Sequence, residues 1–126
     1  MNENAKLWVS ALRSGEYQQG KGQLSLNGRF CCLGVACDIY EKYTGDELPK
    51  DRNSNYIHAG TYGIHHAKNL HSQFNKVREW LGLSFCNGHF KNGSVENSLT
   101  SLNDSAIPFT DIANIIQSEP LGLFVE

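Results

Sequence analysis

Two adjacent cysteines stand where a helix is expected to begin. Cys31 and Cys32 follow a short apolar segment and precede a run of helical periodicity. The N-terminus of a helix favours a thiolate, because its unpaired N–H groups and its dipole stabilise negative charge, and the thiolate is the nucleophilic form of cysteine. The position therefore permits nucleophilic catalysis. Burial as small hydrophobic side chains is the competing interpretation, and we favour it because no signature of a cysteine hydrolase surrounds the pair.

Four of the five histidines lie between residues 46 and 72, and two of them, His65 and His66, are adjacent. Histidine changes charge near neutral pH, so these two residues are candidates for the acid or base of a hydrolase. A loop that carries them is also able to close over an anionic ligand. The histidines lack the spacing of a helical metal site, and no C-x-x-C pair occurs, so neither a metal nor another cofactor is expected.

A third group of polar residues suggests ligand binding. Asn103 and Asp104 precede the last predicted helix, and an amide beside a carboxylate can bind a nucleobase edge or ribose hydroxyls. A turn or a helix cap explains the same two residues equally well. Asp38 stands among apolar residues and, if buried, needs a cation, for which Arg29, Arg13 and Lys21 are the candidates. The predicted ligand-binding residues are Tyr17, Gln19, Arg29, Asp38, Asn103 and Asp104.

The composition limits the class of protein. A chain of 126 residues with 40% hydrophobic residues predicts one domain, 1–126, with one core. The formal net charge of -2 argues against general binding to nucleic acid, which requires a basic excess. No apolar stretch reaches the length of a membrane span, and the N-terminus lacks the pattern of a signal peptide. We therefore expect no membrane association, and a cytoplasmic protein whose cysteines are reduced thiols.

Hydrophobic periodicity and turn residues predict the elements. Helices are predicted over 4–14, 32–45, 74–81 and 109–117, with glycines at 15, 45 and 82 closing the first three. Asn-Gly pairs at 27–28 and 87–88 predict two hairpins. Residues 46–72 show no periodicity and are predicted to form a mobile loop. The pattern as a whole predicts an α+β fold, a small twisted antiparallel sheet of short hairpins packed with about four helices.

Several segments, taken in order, carry a resemblance to a known family. They are 8–15 (WVSALRSG), 30–38 (FCCLGVACD), 77–83 (VREWLGL) and 99–104 (LTSLND), followed by the apolar helix at 109–116. In this order they resemble a family of small uncharacterised proteins encoded in bacteriophage and prophage genomes. The pattern covers most of the chain apart from residues 46–72.

The resemblance implies a phage accessory protein that acts in the cytoplasm of a bacterial host, and by analogy one that counters host defence. Our first hypothesis is a binding protein that sequesters a small nucleotide-derived ligand in a pocket formed by the six ligand-binding residues and closed by the histidine-bearing loop. The second is a hydrolase or phosphodiesterase that cleaves such a ligand with Cys31, Cys32, His65 or His66. The third is an inhibitor that masks a host protein. A homo-oligomer with its pocket at a subunit interface is compatible with each.

Overall fold

The computed structural model describes residues 1–60 and 63–126. In these residues there are five α-helices, namely α1 (Glu3–Arg13), α2 (Cys32–Thr44), α3 (Asn75–Leu81), α4 (Leu99–Asp104) and α5 (Phe109–Gln117). The strands are β1 (Gln18–Gln19), β2 (Ser25–Leu26), β3 (Arg29–Phe30), β4 (Ile57–Gly60), β5 (Gly63–His66), β6 (His89–Asn92) and β7 (Val95–Ser98). This is the predicted α+β class, but the described strands form three small sheets rather than one. None of the described helices has the length and apolar character that crossing a membrane requires.

Helix α2 lies at the centre of the core. The helix contacts α1, α3 and α4, which explains why its sequence carries two apolar stripes. It ends at Gly45, whose φ of 74° is a left-handed conformation that glycine adopts without steric cost. The buried residues of α2 are Cys32, Leu33, Gly34, Val35, Ala36, Cys37, Ile39 and Tyr40. The predicted start and end of this helix are confirmed.

Helices α1 and α5 pack against each other and cover another side of the core. The indole of Trp8 is fully buried, and its Nε1 donates a hydrogen bond to the carbonyl oxygen of Cys32 at 2.9 Å. This bond satisfies the indole N–H and joins α1 to the first turn of α2. The buried face of α5 consists of Phe109, Ile112, Ala113 and Ile116, as the periodicity predicts.

The first predicted hairpin is confirmed. Strands β2 and β3 pair antiparallel around Asn27 and Gly28, which have φ values of 53° and 79°. Positive φ at both central residues is what a tight hairpin turn requires. Strand β1 adds to the outer edge of β3 in parallel orientation, which the sequence did not indicate.

The second predicted hairpin is wrong. A turn closed by the N–H of Gly88 and the carbonyl of Phe85 does form, but the hairpin lies further on, where β6 and β7 pair antiparallel around Gly93 and Ser94. Glycine suits position 88 for two reasons: its φ is 70°, and a Cβ there would lie 2.7 Å from side-chain atoms of Leu99 at the start of α4. The glycine therefore marks close packing of a loop on a helix, and sequence alone does not distinguish that role from a hairpin turn.

The expectation that residues 46–72 lack regular structure is also wrong. Strands β4 and β5 pair antiparallel within this stretch, with the tip of their hairpin outside the described residues. All four residues of β5 are exposed, so no alternation of apolar and polar residues marks the strand. The predicted mobility of the segment stays a prediction.

A close contact between Leu24 and Gly34 holds the chain before β2 against α2. A Cβ at Gly34 would lie 1.7 Å from the carbonyl oxygen of Leu24, so no larger residue fits. The same oxygen accepts the N–H of Cys31 at 3.1 Å. The N–H of Leu24 donates to the carbonyl of Ala67 at 2.7 Å. Leu24 thus joins the start of α2 to the segment that follows β5.

Replacement of Gly34 tests this contact. Glycine to alanine in a helix normally raises stability by about 1 kcal/mol. We expect Gly34→Ala instead to lower the free energy of unfolding by about 3 kcal/mol, because the methyl group separates α2 from Leu24. Urea unfolding followed by circular dichroism measures the change, with Ser10→Ala on the exposed face of α1 as control. A Gly34→Ala protein as stable as the wild type would contradict the contact.

Candidate functional site

A cleft lined by histidines lies between the β4–β5 hairpin and a single 3₁₀ turn, Ser72–Phe74. Its volume is about 660 Å³. We name it the histidine cleft, and its lining residues are Gln23, His58, His65, His66, Lys68, Asn69, His71, Ser72 and Gln73. All four histidines of the segment 46–72 are among them, including the two predicted catalytic candidates.

The register of β4 and β5 and two buried residues position the wall of the histidine cleft. The pairing of β4 with β5 places His58 opposite His65. Ala67 and Leu70 are fully buried, and Lys68 and Asn69 between them line the cleft. The cleft wall is therefore fixed to the core on both sides of these two polar residues.

The ring of His58 packs between two other rings. It stacks on His71 with centroids 4.3 Å apart and planes 9° apart, and Phe74 meets it edge-on at 5.2 Å. Burial, and then the neighbouring His71 and His65, lower the pKa of His58 below its ordinary value of 6.5. At pH 7 its imidazole is therefore neutral, with one N–H donor and one acceptor.

Two buried polar atoms in the cleft wall have no hydrogen-bond partner. They are Nε2 of His58 and Oδ1 of Asn69, and no other buried side-chain nitrogen or oxygen within residues 1–60 and 63–126 is in that state. An unpaired buried polar group costs about 1–3 kcal/mol, so such groups are rare in native proteins. Here both belong to residues that line a single cleft.

The backbone is strained at the same place. Ser72 has a φ of 54°, a conformation that residues other than glycine seldom adopt and that costs about 1–3 kcal/mol. Its hydroxyl lies 3.0 Å from Nδ1 of His71. The strained residue thus contacts the imidazole that stacks on His58.

A smaller recess of about 160 Å³ opens beside the histidine cleft. The two share Gln23, Lys68 and Asn69, and the remaining residues of the recess are Gly22, Cys31, Thr100 and Asp104. Oδ1 of Asp104 accepts the N–H of Gly22 at 2.9 Å, which ties α4 to the loop after β1. One predicted catalytic residue and one predicted ligand-binding residue therefore meet here.

Two other clefts of the described surface have similar volumes, about 610 and 640 Å³. The first is lined by Glu47 and Glu79 together with Lys76, and the second is largely apolar, with exposed Val95 and Leu121 at its rim. Neither contains one of the unpartnered buried atoms of the described chain. The histidine cleft with its recess is therefore the candidate site.

The two cysteines at the start of α2 are buried. The sulfur of Cys31 caps the helix by accepting the N–H of Gly34 at 3.4 Å. Burial raises the pKa of Cys31 to about 11 and that of Cys32 well above its ordinary value. Desolvation therefore outweighs the effect of the helix N-terminus, and both groups are protonated thiols at neutral pH. This geometry favours packing over nucleophilic catalysis.

Two of the predicted ligand-binding residues form an internal amide brace. Asn103 is fully buried, and its Oδ1 accepts hydrogen bonds from Nε2 of Gln19 at 3.0 Å and from the N–H of Cys32 at 3.2 Å. The two amides also bond to backbone groups of Gly20, Ile107 and Phe109. Their donors and acceptors therefore hold β1, α2, α4 and α5 together.

Tyr17 and Asp38 meet at a different surface. The hydroxyl of Tyr17 donates to Oδ2 of Asp38 at 2.5 Å, and Nζ of Lys42 lies 2.9 Å from the same oxygen. Partial burial, and then Asp38, raise the pKa of Tyr17 to about 12. The cation beside Asp38 is therefore Lys42, one helical turn away, and not Arg29, Arg13 or Lys21 as expected.

The six predicted ligand-binding residues thus do not share one pocket. Gln19 and Asn103 lie in the brace, Tyr17 and Asp38 in the surface cluster, and Asp104 in the recess, while Arg29 is exposed on β3. Sequence reasoning also did not single out Lys68, Asn69 or Thr100. A polar pair between two apolar loop residues is too common a pattern to mark a site.

The arrangement suits hydrogen bonding and charge attraction. Stacked rings present faces rather than nitrogens to each other, so His58 and His71 are poorly placed to share a metal ion. No group of three or more His, Cys, Asp or Glu side chains in the described ranges could hold a metal. The cleft offers imidazoles, side-chain amides and the ammonium of Lys68, which are groups suited to hydrogen bonding and to an anion.

The amide brace makes a prediction about stability. Asn103→Ala removes the side-chain partner of the buried N–H of Cys32 and of the carbonyl of Gly20, so we expect a loss of about 2–4 kcal/mol in the free energy of unfolding. Arg29→Ala, at an exposed predicted ligand residue, serves as control and should change stability by less than about 0.5 kcal/mol. Thermal and urea unfolding measure both. Equal stability of the two variants would show that Asn103 is not a structural brace.

The enclosure of His58 makes a prediction about pH. Its pKa is lower in the folded chain than in the unfolded chain, so the unfolded chain binds more protons below about pH 6.5. The contribution of the neutral His58 to the free energy of unfolding is therefore complete above about pH 6.5, and it decreases as the pH falls below that value. We expect His58→Phe, which keeps a ring against His71 and Phe74, to reduce this loss, and His89→Gln outside the cleft not to. Urea unfolding of each protein at several pH values tests this, and an unchanged pH dependence in His58→Phe would contradict it.

Comparison with known proteins places the chain in a family. A family model described as Domain of unknown function (DUF8296) matches residues 1–120, a range that includes every residue of the histidine cleft and the recess. No curated protein and no solved structure matches the chain. The protein belongs to the family described as Domain of unknown function (DUF8296).

Proposed function

We propose that this protein binds and sequesters a small phosphorylated ligand derived from a nucleotide, and that the ligand occupies the histidine cleft. The observation that carries the proposal is the position of the two unpartnered buried polar atoms, Nε2 of His58 and Oδ1 of Asn69, in one cleft wall. A volume of about 660 Å³ is within the usual range for small-molecule sites.

The charge of the cleft supports an anionic ligand. Its described lining includes the ammonium of Lys68 and four imidazoles but no carboxylate, although the whole chain has a net charge of -2. Lys68 has no carboxylate within 4.0 Å in the described part of the chain. The lysines that do form ion pairs there are those at positions 6, 42, 50, 76 and 91. A phosphate at Lys68 would therefore gain a charge-assisted hydrogen bond without breaking an existing ion pair.

The remaining lining residues support a nucleotide rather than a bare anion. Amides such as those of Gln23, Asn69 and Gln73 each present a donor and an acceptor, which is the pattern on the edges of nucleobases. Imidazole rings offer flat surfaces on which a base can stack. The cleft therefore combines recognition of phosphate with recognition of a base.

Sequestration is the activity that we favour over cleavage, because the thiol of Cys31 is buried and protonated. The resemblance at residues 8–15, 30–38 and 99–104 supports a biological setting for this activity. In that setting the protein is a phage accessory factor that withdraws a nucleotide signal of host defence from solution in the bacterial cytoplasm.

A hydrolase or phosphodiesterase is the second candidate. The specific observation in its favour is that Cys31 lines the recess and that His65 and His66 line the adjoining cleft. Catalysis by this cysteine would require a ligand that lowers the pKa of the thiol. The experiment below separates the two activities, because an enzyme releases an altered product.

The direct test is incubation of the protein with a panel of cyclic dinucleotides and ADP-ribose derivatives, followed by filtration, denaturation and mass spectrometry of both fractions. A binding protein depletes one compound from the filtrate and releases it intact after denaturation. Conversion to a product would favour the hydrolase. A panel that stays unchanged in the filtrate would contradict both activities and favour an inhibitor that masks a protein.

A variant locates the ligand. We expect Lys68→Ala to weaken binding of the retained compound about tenfold or more, since a charge-assisted hydrogen bond contributes about 1.5–3 kcal/mol. Lys6→Ala removes the same charge from α1, which contributes no lining residue to the cleft or the recess, and this variant should bind as the wild type does. Calorimetric titration measures both affinities. Equal affinities of the two variants would place the ligand elsewhere.

A further inference from the structure

We infer that the recess is a ribose subsite, in which Asp104 and Thr100 bind the hydroxyls of a sugar whose phosphate lies at Lys68. This inference rests on the proposed function and adds to it the chemical class of one end of the ligand, namely a ribose 5-phosphate group that has free hydroxyls and carries no base.

The first argument is continuity. The recess and the histidine cleft share Gln23, Lys68 and Asn69, so one molecule can occupy both. The recess has a volume of about 160 Å³, the space of about five water molecules, which is the scale of one sugar ring. A nucleobase with its sugar needs the larger cleft.

The second argument is the state of the carboxylate. Asp104 lies at the end of α4, and Oδ1 accepts the N–H of Gly22 at 2.9 Å. No described residue donates a hydrogen bond to Oδ2. A carboxylate has about four acceptor positions, so Asp104 keeps the capacity to accept two neighbouring hydroxyls of a sugar.

The third argument is the separation of opposite charges. Lys68 and Asp104 line the same small recess, yet no ion pair within 4.0 Å joins them in the described structure. A free phosphate in the recess would be repelled by Asp104. A sugar phosphate satisfies both groups, because its phosphate faces the ammonium while its hydroxyls face the carboxylate.

Thr100 supplies the second hydroxyl-binding group of the recess. Its Oγ1 lies 3.1 Å from the Oγ of Ser98 and is able to act as donor or acceptor. Thr100 and Asp104 are four residues apart on α4, and both line the recess, so side chains of two adjacent helical positions offer oxygen atoms to the hydroxyls of one sugar.

The test compares two probes and two substitutions by calorimetric titration. ADP-ribose carries a terminal ribose 5-phosphate without a base, whereas the one ribose of ADP carries adenine, and a base with its sugar is too large for the recess. We expect the wild type to bind ADP-ribose at least about tenfold more tightly than ADP, which is about 1.4 kcal/mol. Asp104→Asn, which keeps the acceptor for Gly22, and Thr100→Val should each lose most of this preference and keep the affinity for ADP.

The control is Asp111→Asn on the exposed face of α5, which makes the same change of charge outside the recess and should keep the preference. An undiminished preference in both Asp104→Asn and Thr100→Val would overturn the subsite and leave the proposed function in place. Binding of a cyclic dinucleotide without binding of ADP-ribose or ADP would also overturn the subsite and leave the proposed function in place. A wild type that binds neither the probes nor any compound of the panel would overturn the subsite together with the proposed function.

Discussion

The contact between Leu24 and Gly34 is the constraint on which the candidate site depends. Because Gly34 has no side chain, α2 lies directly against the carbonyl group of Leu24, which also accepts the N–H of Cys31. On its other side Leu24 donates to Ala67 and so positions the segment that carries Lys68 and Asn69. The start of α2, the recess and the wall of the histidine cleft are thus fixed by one buried residue. A helical glycine costs about 1 kcal/mol relative to alanine, and the packing that it permits around α2 offsets this cost.

Desolvation has opposite consequences for the cysteines and for His58. At the start of α2 it keeps the thiol of Cys31 protonated, although the helix N-terminus favours a thiolate. In the cleft it keeps His58 neutral, and a neutral imidazole still donates and accepts hydrogen bonds. The same physical effect therefore removes a nucleophile and preserves a binding group. Together with the charge of Lys68, which has no ion pair in the described structure, this balance is the basis of our proposal that the site captures an anion rather than cleaves it.

The sequence predicts the elements whose burial is periodic and misses those whose role depends on distant contacts. Helix α2 and the turn at Asn27 carry local signals, namely two apolar stripes and an Asn-Gly pair. Strand β5 is exposed on both faces and has no such signal. Asn103 resembles a ligand-binding amide in sequence, but it is fully buried and bonded to segments that are more than 70 residues away along the chain. Lys68 lines the cleft because Ala67 and Leu70 on either side are buried in the core, and only the folded chain reveals this burial.

The most direct test of the account is an NMR titration of the imidazole nitrogens of His58 with and without ADP-ribose. The central claim is that an anionic ligand lies against this ring in the histidine cleft. A bound anion stabilises the protonated ring, so the account predicts that the ligand shifts the nitrogen signals of His58 and raises its pKa, while the signals of His89 on β6 stay in place. Signals and a pKa of His58 that do not respond to a saturating ligand would contradict the account.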